Sequence, residues 1–216
     1  MISESTQKQL DGLSIDTKAP LLICDVDDVV VHFLRAFETY IDDRQHYLEL
    51  TGFALNGAVK HRDSGQAAGA ETVSLLVDQF FADRTAHLEP VEGAVAALQG
   101  IAGAASVVML TNLPHHARDK RIENLKKLGL DFPVITNSGP KGPAIKHLSE
   151  RTSGRAMFID DSPGFVSSSH QFAPHVAITH FLHDQRLAKH HKPFTFVSLT
   201  TDNWHDARRH ITDFFR

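Results

Sequence analysis

The chain is short of cysteine, of basic residues in excess over acidic ones, and of long apolar runs. Each shortage closes off a class of protein. The single cysteine, Cys24, excludes an internal disulfide and any cysteine-rich zinc module. Lys and Arg number 22 against 26 Asp and Glu, a formal charge of −4. That balance argues against a nucleic-acid polymer or an anionic membrane surface as partner. No apolar run reaches the roughly 18 residues of a membrane span, and residues 1–20 lack the apolar stretch of a secretory signal. Internal repeats and low-complexity tracts are also missing. The expectation is a reduced, cytoplasmic, globular protein. At 216 residues it suits one domain, or one domain with an inserted subdomain. A chain of this size hides roughly 70% of its extended surface, enough for a real core.

What is present is a series of short apolar runs, each stopped by a polar residue. Leu21-Leu22-Ile23-Cys24 ends at Asp25, Val107-Val108-Met109-Leu110 at Thr111, and Met157-Phe158-Ile159 at Asp160. Val134-Ile135, Val176 to Ile178 and Phe194 to Leu199 are weaker runs of the same kind. Such runs suit strands buried on both faces. Amphipathic helix patterns separate them: Val91, Val95, Leu98 and Ile101 share a face, as do Ile122, Leu125 and Leu128. Asp202 is positioned to cap a last helix carrying Trp204, Ala207, Ile211 and Phe214. Strands alternating with helices predict a parallel sheet covered on both faces, a three-layer, Rossmann-like α/β core.

Residues 32–88 break the rhythm. Phe33, Phe37, Tyr40, Ile41 and Leu48 form one helical stripe, and Val73, Leu76, Val77, Phe80 and Phe81 form another. The Gly- and Ala-rich stretch between them carries Lys60-His61-Arg62-Asp63. This pattern predicts a helical cap over 32–88, inserted into a core made of 19–31 and 89–216, with 1–18 as an arm or loose first helix.

In an open parallel sheet the ligand site lies beyond the carboxyl ends of the strands. The residues that follow the apolar runs are therefore the candidates: Asp25 and Asp27, Thr111 and Asn112, Asp160 and Asp161. Lys141 joins them from the loop after Val134-Ile135. Carboxylates crowded at one sheet edge resist ionising without a cation. Mg²⁺, which favours one or two carboxylates with phosphate oxygens and water, is the usual remedy. Acids, a lysine and a hydroxyl together describe phosphoryl transfer, in which an aspartate is able to act as nucleophile.

The order and spacing resemble the haloacid dehalogenase (HAD) superfamily of phosphohydrolases. Its four motifs are matched by Asp25-Val26-Asp27, by Thr111-Asn112, by Lys141 and by Asp160-Asp161-Ser162, over about residues 19–180. The resemblance implies that Asp25 attacks phosphorus and holds Mg²⁺. It implies that Asp27 serves as acid and base and contacts the metal through its carbonyl. Thr111 and Lys141 would bind the phosphoryl group, with Asn112 within reach of it, and Asp161 with Asp160 would complete the metal site. The cap would select the leaving group, with Arg62 as a substrate-reading candidate. The implied activity is hydrolysis of a small phosphorylated metabolite, a sugar phosphate, nucleotide or similar monoester, through an aspartyl-phosphate.

Two positions depart from the commonest pattern: Asp28-Val29 stand where Gly-Thr is usual, and Phe165 stands where many members place a second acid. Plainer roles exist for each residue, such as helix capping for Thr111, Asp160 and Asp161 and a solvated loop for Lys141 and Arg62. The fifteen histidines fall in no recognised zinc motif and read as solvated or packing residues. Alternatives on the same residues are a phosphomutase and a non-catalytic phospho-ligand-binding or receiver-like protein. A dehalogenase has no need of the second acid, Asp27.

Overall fold

Strand β1 (Leu21–Cys24) is buried along its whole length. Its side chains alternate between two hydrophobic clusters: Leu22 and Cys24 join the larger, Leu21 and Ile23 the smaller. Parallel strands β4 (Ser106–Thr111) and β6 (Ala156–Asp160) flank it, so that Cys24 lies level with Met109 on one side and Ile159 on the other. Both repeat the alternation. Met109 and Ile159 enter the larger cluster, Leu110 and Phe158 the smaller. A strand covered on both faces needs apolar residues at every position, which is why these three read as unbroken runs.

β5 (Val134–Thr136), β7 (Ala177–Phe181) and β8 (Leu199–Thr201) complete a six-stranded parallel sheet in the order β5-β4-β1-β6-β7-β8. On the larger-cluster face lie α4 (Ala94–Ala102), α5 (Arg118–Lys127) and α9 (Trp204–Phe215), contributing Leu98, Leu125 and Ile211. The other face is covered by α1 (Glu4–Asp11), α6 (Gly142–Ser149) and α7 (Pro163–Phe172), through Leu10, Ile145 and Val166. This is a three-layer, Rossmann-like α/β fold. The computed structural model describes residues 1–216, and no helix in it is long and apolar enough to cross a membrane.

The N-terminal residues are docked. Ser3 caps α1, Thr6 Oγ1 donates to the Thr136 carbonyl at 2.9 Å, and the Gln9 side chain both donates to Thr136 Oγ1 and accepts from Thr136 N–H. The helix thus satisfies the open edge of β5, which would otherwise invite pairing with another chain. At the other end Asn203, not Asp202, caps α9, its side chain accepting from Asp206 N–H at 2.9 Å.

The stretch 32–88 carries α2 (Phe33–Asp42), α3 (Ala70–Arg84) and a short 3₁₀ turn, Thr85–His87. Between the helices runs an antiparallel ribbon, β2 (His46–Leu48) with β3 (Val59–His61), where the sequence led us to expect only helix. Strands of three residues, most of them half-buried, are too short to show alternation, so pattern alone does not reveal them. Rings from the two helices interlock: Phe33 stacks on Phe37 and Phe81, and Phe80 meets Phe37 edge-on, with centroids 5.4–5.5 Å apart. The two connections to the sheet pair with each other, His32 N–H donating to Glu89 O and Val91 N–H to Val30 O.

Candidate active site

From β1 the chain crosses to β4 on one side and later to β6 on the other. The carboxyl ends of these three strands therefore face a crevice at the topological switch point, where open α/β sheets bind ligands. Asp25 follows β1, its N–H held by the Ile159 carbonyl at 2.9 Å. Thr111 and Asp160 end β4 and β6. Strand register alone places these residues together.

Lys141 arrives from α6. A Cβ on the next residue, Gly142, would lie 2.2 Å from the Ser168 carbonyl oxygen of α7, so glycine permits a contact between the two helices that a side chain would block. Gly142 N–H also donates to Ser168 Oγ at 3.0 Å. This close packing drives Lys141 under the sheet edge. It is fully buried, with Nζ 2.6 Å from both Asp25 Oδ1 and Asp160 Oδ2 and 4.6 Å from the centre of the Phe165 ring.

The carboxylates are held differently. Asp160 has both oxygens engaged, one by Lys141 and the other by the Ser162 N–H at 2.8 Å. Asp25 is held through one oxygen. Asp161 is held through its backbone, since the buried His180 ring lies 2.8 Å from the Asp161 carbonyl. A carbonyl only accepts, so Nε2 of His180 carries the proton. Burial pushes the His180 pKa down to about 4, which keeps the ring neutral. One oxygen from each of Asp25, Asp160 and Asp161 falls within 4.8 Å of the others, a spacing able to hold a metal ion. Desolvation raises all three acids above the usual carboxylate range, opposed at Asp25 and Asp160 by Lys141. Burial alone would lower the Lys141 ammonium, but Asp160 and Asp25 together raise it. Three carboxylates against one ammonium leave a buried negative surplus, the electrostatic signature of a cation site.

In the turn after β1, the Val26 carbonyl collects the N–H groups of Val29, Val30 and Val31, which leaves the Asp27 carbonyl outside this network. The Asp27 carboxylate accepts from Thr111 Oγ1 at 3.2 Å and pairs with Arg121, a side chain with no solvent exposure. Asp28 sits at φ 57°, a left-handed conformation that aspartate tolerates better than most residues. Its buried carboxylate accepts from Phe33 and Leu34 N–H, capping α2. The departure at Asp28 from the family pattern thus ties the turn to the insertion.

A cavity of about 330 Å³ opens over these groups. Asp25, Asp27, Asp28, Asn112, Lys141, Asp161 and Ser162 line its floor. Phe33 and Leu34 from α2, Leu50, Phe53 and Leu55 from the ribbon loop, and Val77 and Phe81 from α3 line its roof. Phe165 and Leu187 complete the wall. Asn112 is oriented by Asn137, whose amide donates to its Oδ1 at 3.0 Å. Thr111 lies behind Asp27, outside the lining.

Arg62 is not brought to the site. It pairs with Asp42 and borders a separate surface groove with Tyr47. The ribbon, absent from the sequence reading, is what carries it to the outer side of the insertion. Cys24 is buried, and burial first of all raises its thiol, which makes it a core residue. Sequence reasoning missed Arg121, because α5 is strongly charged and nothing local marks one of its arginines as buried. It also read Phe33 and Phe81 as packing residues of helical stripes, not as walls of the cavity.

No family model matches the sequence, and no curated protein matches it. Among solved structures, the chain is similar to a HAD-hydrolase of Bacillus subtilis bound to magnesium, with a TM-score of 0.60 and 15% identity over 90% of this chain and 99% of that one. A HAD family hydrolase of Deinococcus radiodurans R1 with bound phosphate and sodium gives 0.56 and 14%, over 92% and 97%. A defluorinating L-2-haloacid dehalogenase gives 0.58 and 15%, over 90% and 95%. The chain thus has the fold of the HAD-type hydrolases, a fold that hosts more than one chemistry.

Proposed function

We propose that this protein is a Mg²⁺-dependent phosphatase that hydrolyses a small phosphomonoester through an aspartyl-phosphate on Asp25. The observation that carries the reading is the buried Asp25–Lys141–Asp160 triad, with Asp161 beside it, beneath the apolar side chains of the insertion. Lys141 holds Asp25 with one oxygen aimed and leaves the other to attack. In line, that oxygen forms a bond to phosphorus while the bond from phosphorus to the ester oxygen breaks. Asp27, facing the cavity, is the group to protonate the departing oxygen and then to take a proton from the water that cleaves the acyl phosphate. One of its contacts to Thr111 or Arg121 opens to free it for that role. Asp25, Asp161 and the Asp27 carbonyl are the groups to hold Mg²⁺. When bound, Mg²⁺ neutralises the phosphoryl oxygens and the surplus of carboxylates. The insertion acts as a cap that excludes water. Thr111 acts through Asp27, and Lys141 is the direct phosphoryl ligand.

The solved hydrolases of this fold, one with magnesium and one with phosphate, support the reading. The apolar roof also suits displacement of a halide, as in the dehalogenase of this fold. Halide displacement has no dianionic group whose charge a metal ion would have to neutralise. Phosphate release from a panel of phosphomonoesters tests the choice. Release is expected to require Mg²⁺, to stop with EDTA and to vanish in Asp25→Asn. Halide release from 2-haloacids without phosphate release would overturn it.

A further inference from the structure

Every insertion side chain that lines the cavity is a hydrocarbon: none offers a hydrogen-bond donor, an acceptor or a charge. All polar groups of the site lie on the floor, where the reacting group sits. Among the charged side chains lining the cavity, Lys141 is the sole cation, already shared between Asp25 and Asp160, against the carboxylates of Asp25, Asp27, Asp28 and Asp161. Resting on the phosphatase reading, we infer that the substrate is the phosphate ester of a small, uncharged, apolar alcohol. A polyol, a sugar or a nucleoside would bury hydroxyls and ring nitrogens against Phe33, Phe53, Leu55 and Phe81, with no partner there. Each such group costs on the order of tenfold in affinity. A second anionic group on the leaving side would find no cationic side chain among the residues of the insertion that line the cavity. The volume, about 330 Å³, is at the small end of ligand sites, which limits the leaving group to a small one. The roof is also stiff. Phe33 is stacked against Phe37 and Phe81, with ring planes within 12–15° of parallel, so the wall is shaped before the ligand arrives.

The test compares n-butyl phosphate with glycerol 1-phosphate and phosphoglycolate at saturating Mg²⁺. The first two have alcohol leaving groups of similar size and differ chiefly in hydroxyls, and the third carries a carboxylate. The butyl ester is expected to exceed each of the others at least tenfold in kcat/KM. Phe53→Ala and Leu50→Asn, both in the loop of the ribbon, are each expected to shrink that ratio at least threefold, chiefly by raising KM for the butyl ester. Equal turnover of the three esters, or ratios untouched by both substitutions, would overturn the inference and leave the phosphatase reading standing. Equilibrium binding of butylphosphonate against phosphonoacetate reads the cavity without turnover. If no ester is hydrolysed yet butylphosphonate binds at least tenfold tighter, the phosphatase reading fails while the apolar preference holds. Tighter binding of phosphonoacetate would sink the preference itself.

Discussion

Arg121 is the residue on which the site's second acid depends. Its guanidinium is out of contact with solvent and meets Asp27, while its Nε and one terminal nitrogen have no partner. Breaking a buried ion pair from one side leaves the remaining charge stranded. Arg121→Met is therefore expected to cost about 3 kcal/mol, roughly 6–12 °C in Tm. Adding Asp27→Asn should recover part of that loss, and thermal unfolding of the two single variants and the double variant measures it. Simple additivity would show that the pair does not act as a unit. At this scale the sequence was unevenly legible. Asp25, Asp27, Asp160 and Asp161 stand out because they come directly after, or within three residues of, a buried apolar run. Arg121 does not, because a buried arginine and a solvated one look alike in a helix of ten residues rich in charge.

Elements set the geometry through two contacts. The first is the approach of α6 to α7 at Gly142. A methyl there would meet the Ser168 carbonyl oxygen, so Gly142→Ala must separate the helices. The expected cost is ~2 kcal/mol by urea denaturation, with a roughly hundredfold loss of kcat/KM as Lys141 shifts. Removing the serine hydroxyl as well, in Gly142→Ala with Ser168→Ala, should not rescue it, because the obstacle is backbone. The second contact is the capping of α2 by Asp28. Asp28→Ala is expected to lose ~1–2 kcal/mol and to speed proteolysis within 32–88, with Asp28→Asn losing less. Unchanged proteolysis would show that the turn does not anchor the insertion. The helices of the insertion were legible from their apolar stripes, while the ribbon between them was not.

For the whole molecule, the buried surplus of carboxylates makes folding and metal binding one equilibrium. A cation held by the native site alone stabilises by ~2.7 kcal/mol at a hundred times its Kd, about 5–10 °C for a chain of this length. Mg²⁺ is expected to raise Tm by that amount, EDTA to reverse it, and Asp161→Asn to abolish the shift. A shift that survives Asp161→Asn would place the cation elsewhere. The sequence by itself determined the inner strands of the parallel sheet, its layering and the set of acids with Lys141, because buried strands demand apolar runs and each run here ends at a polar residue. Only the tertiary structure decided which oxygens are engaged, that Arg121 meets Asp27, that Arg62 lies outside, and that the roof is hydrocarbon. These outcomes depend on side chains far apart in the chain meeting across elements, and local pattern holds no record of that.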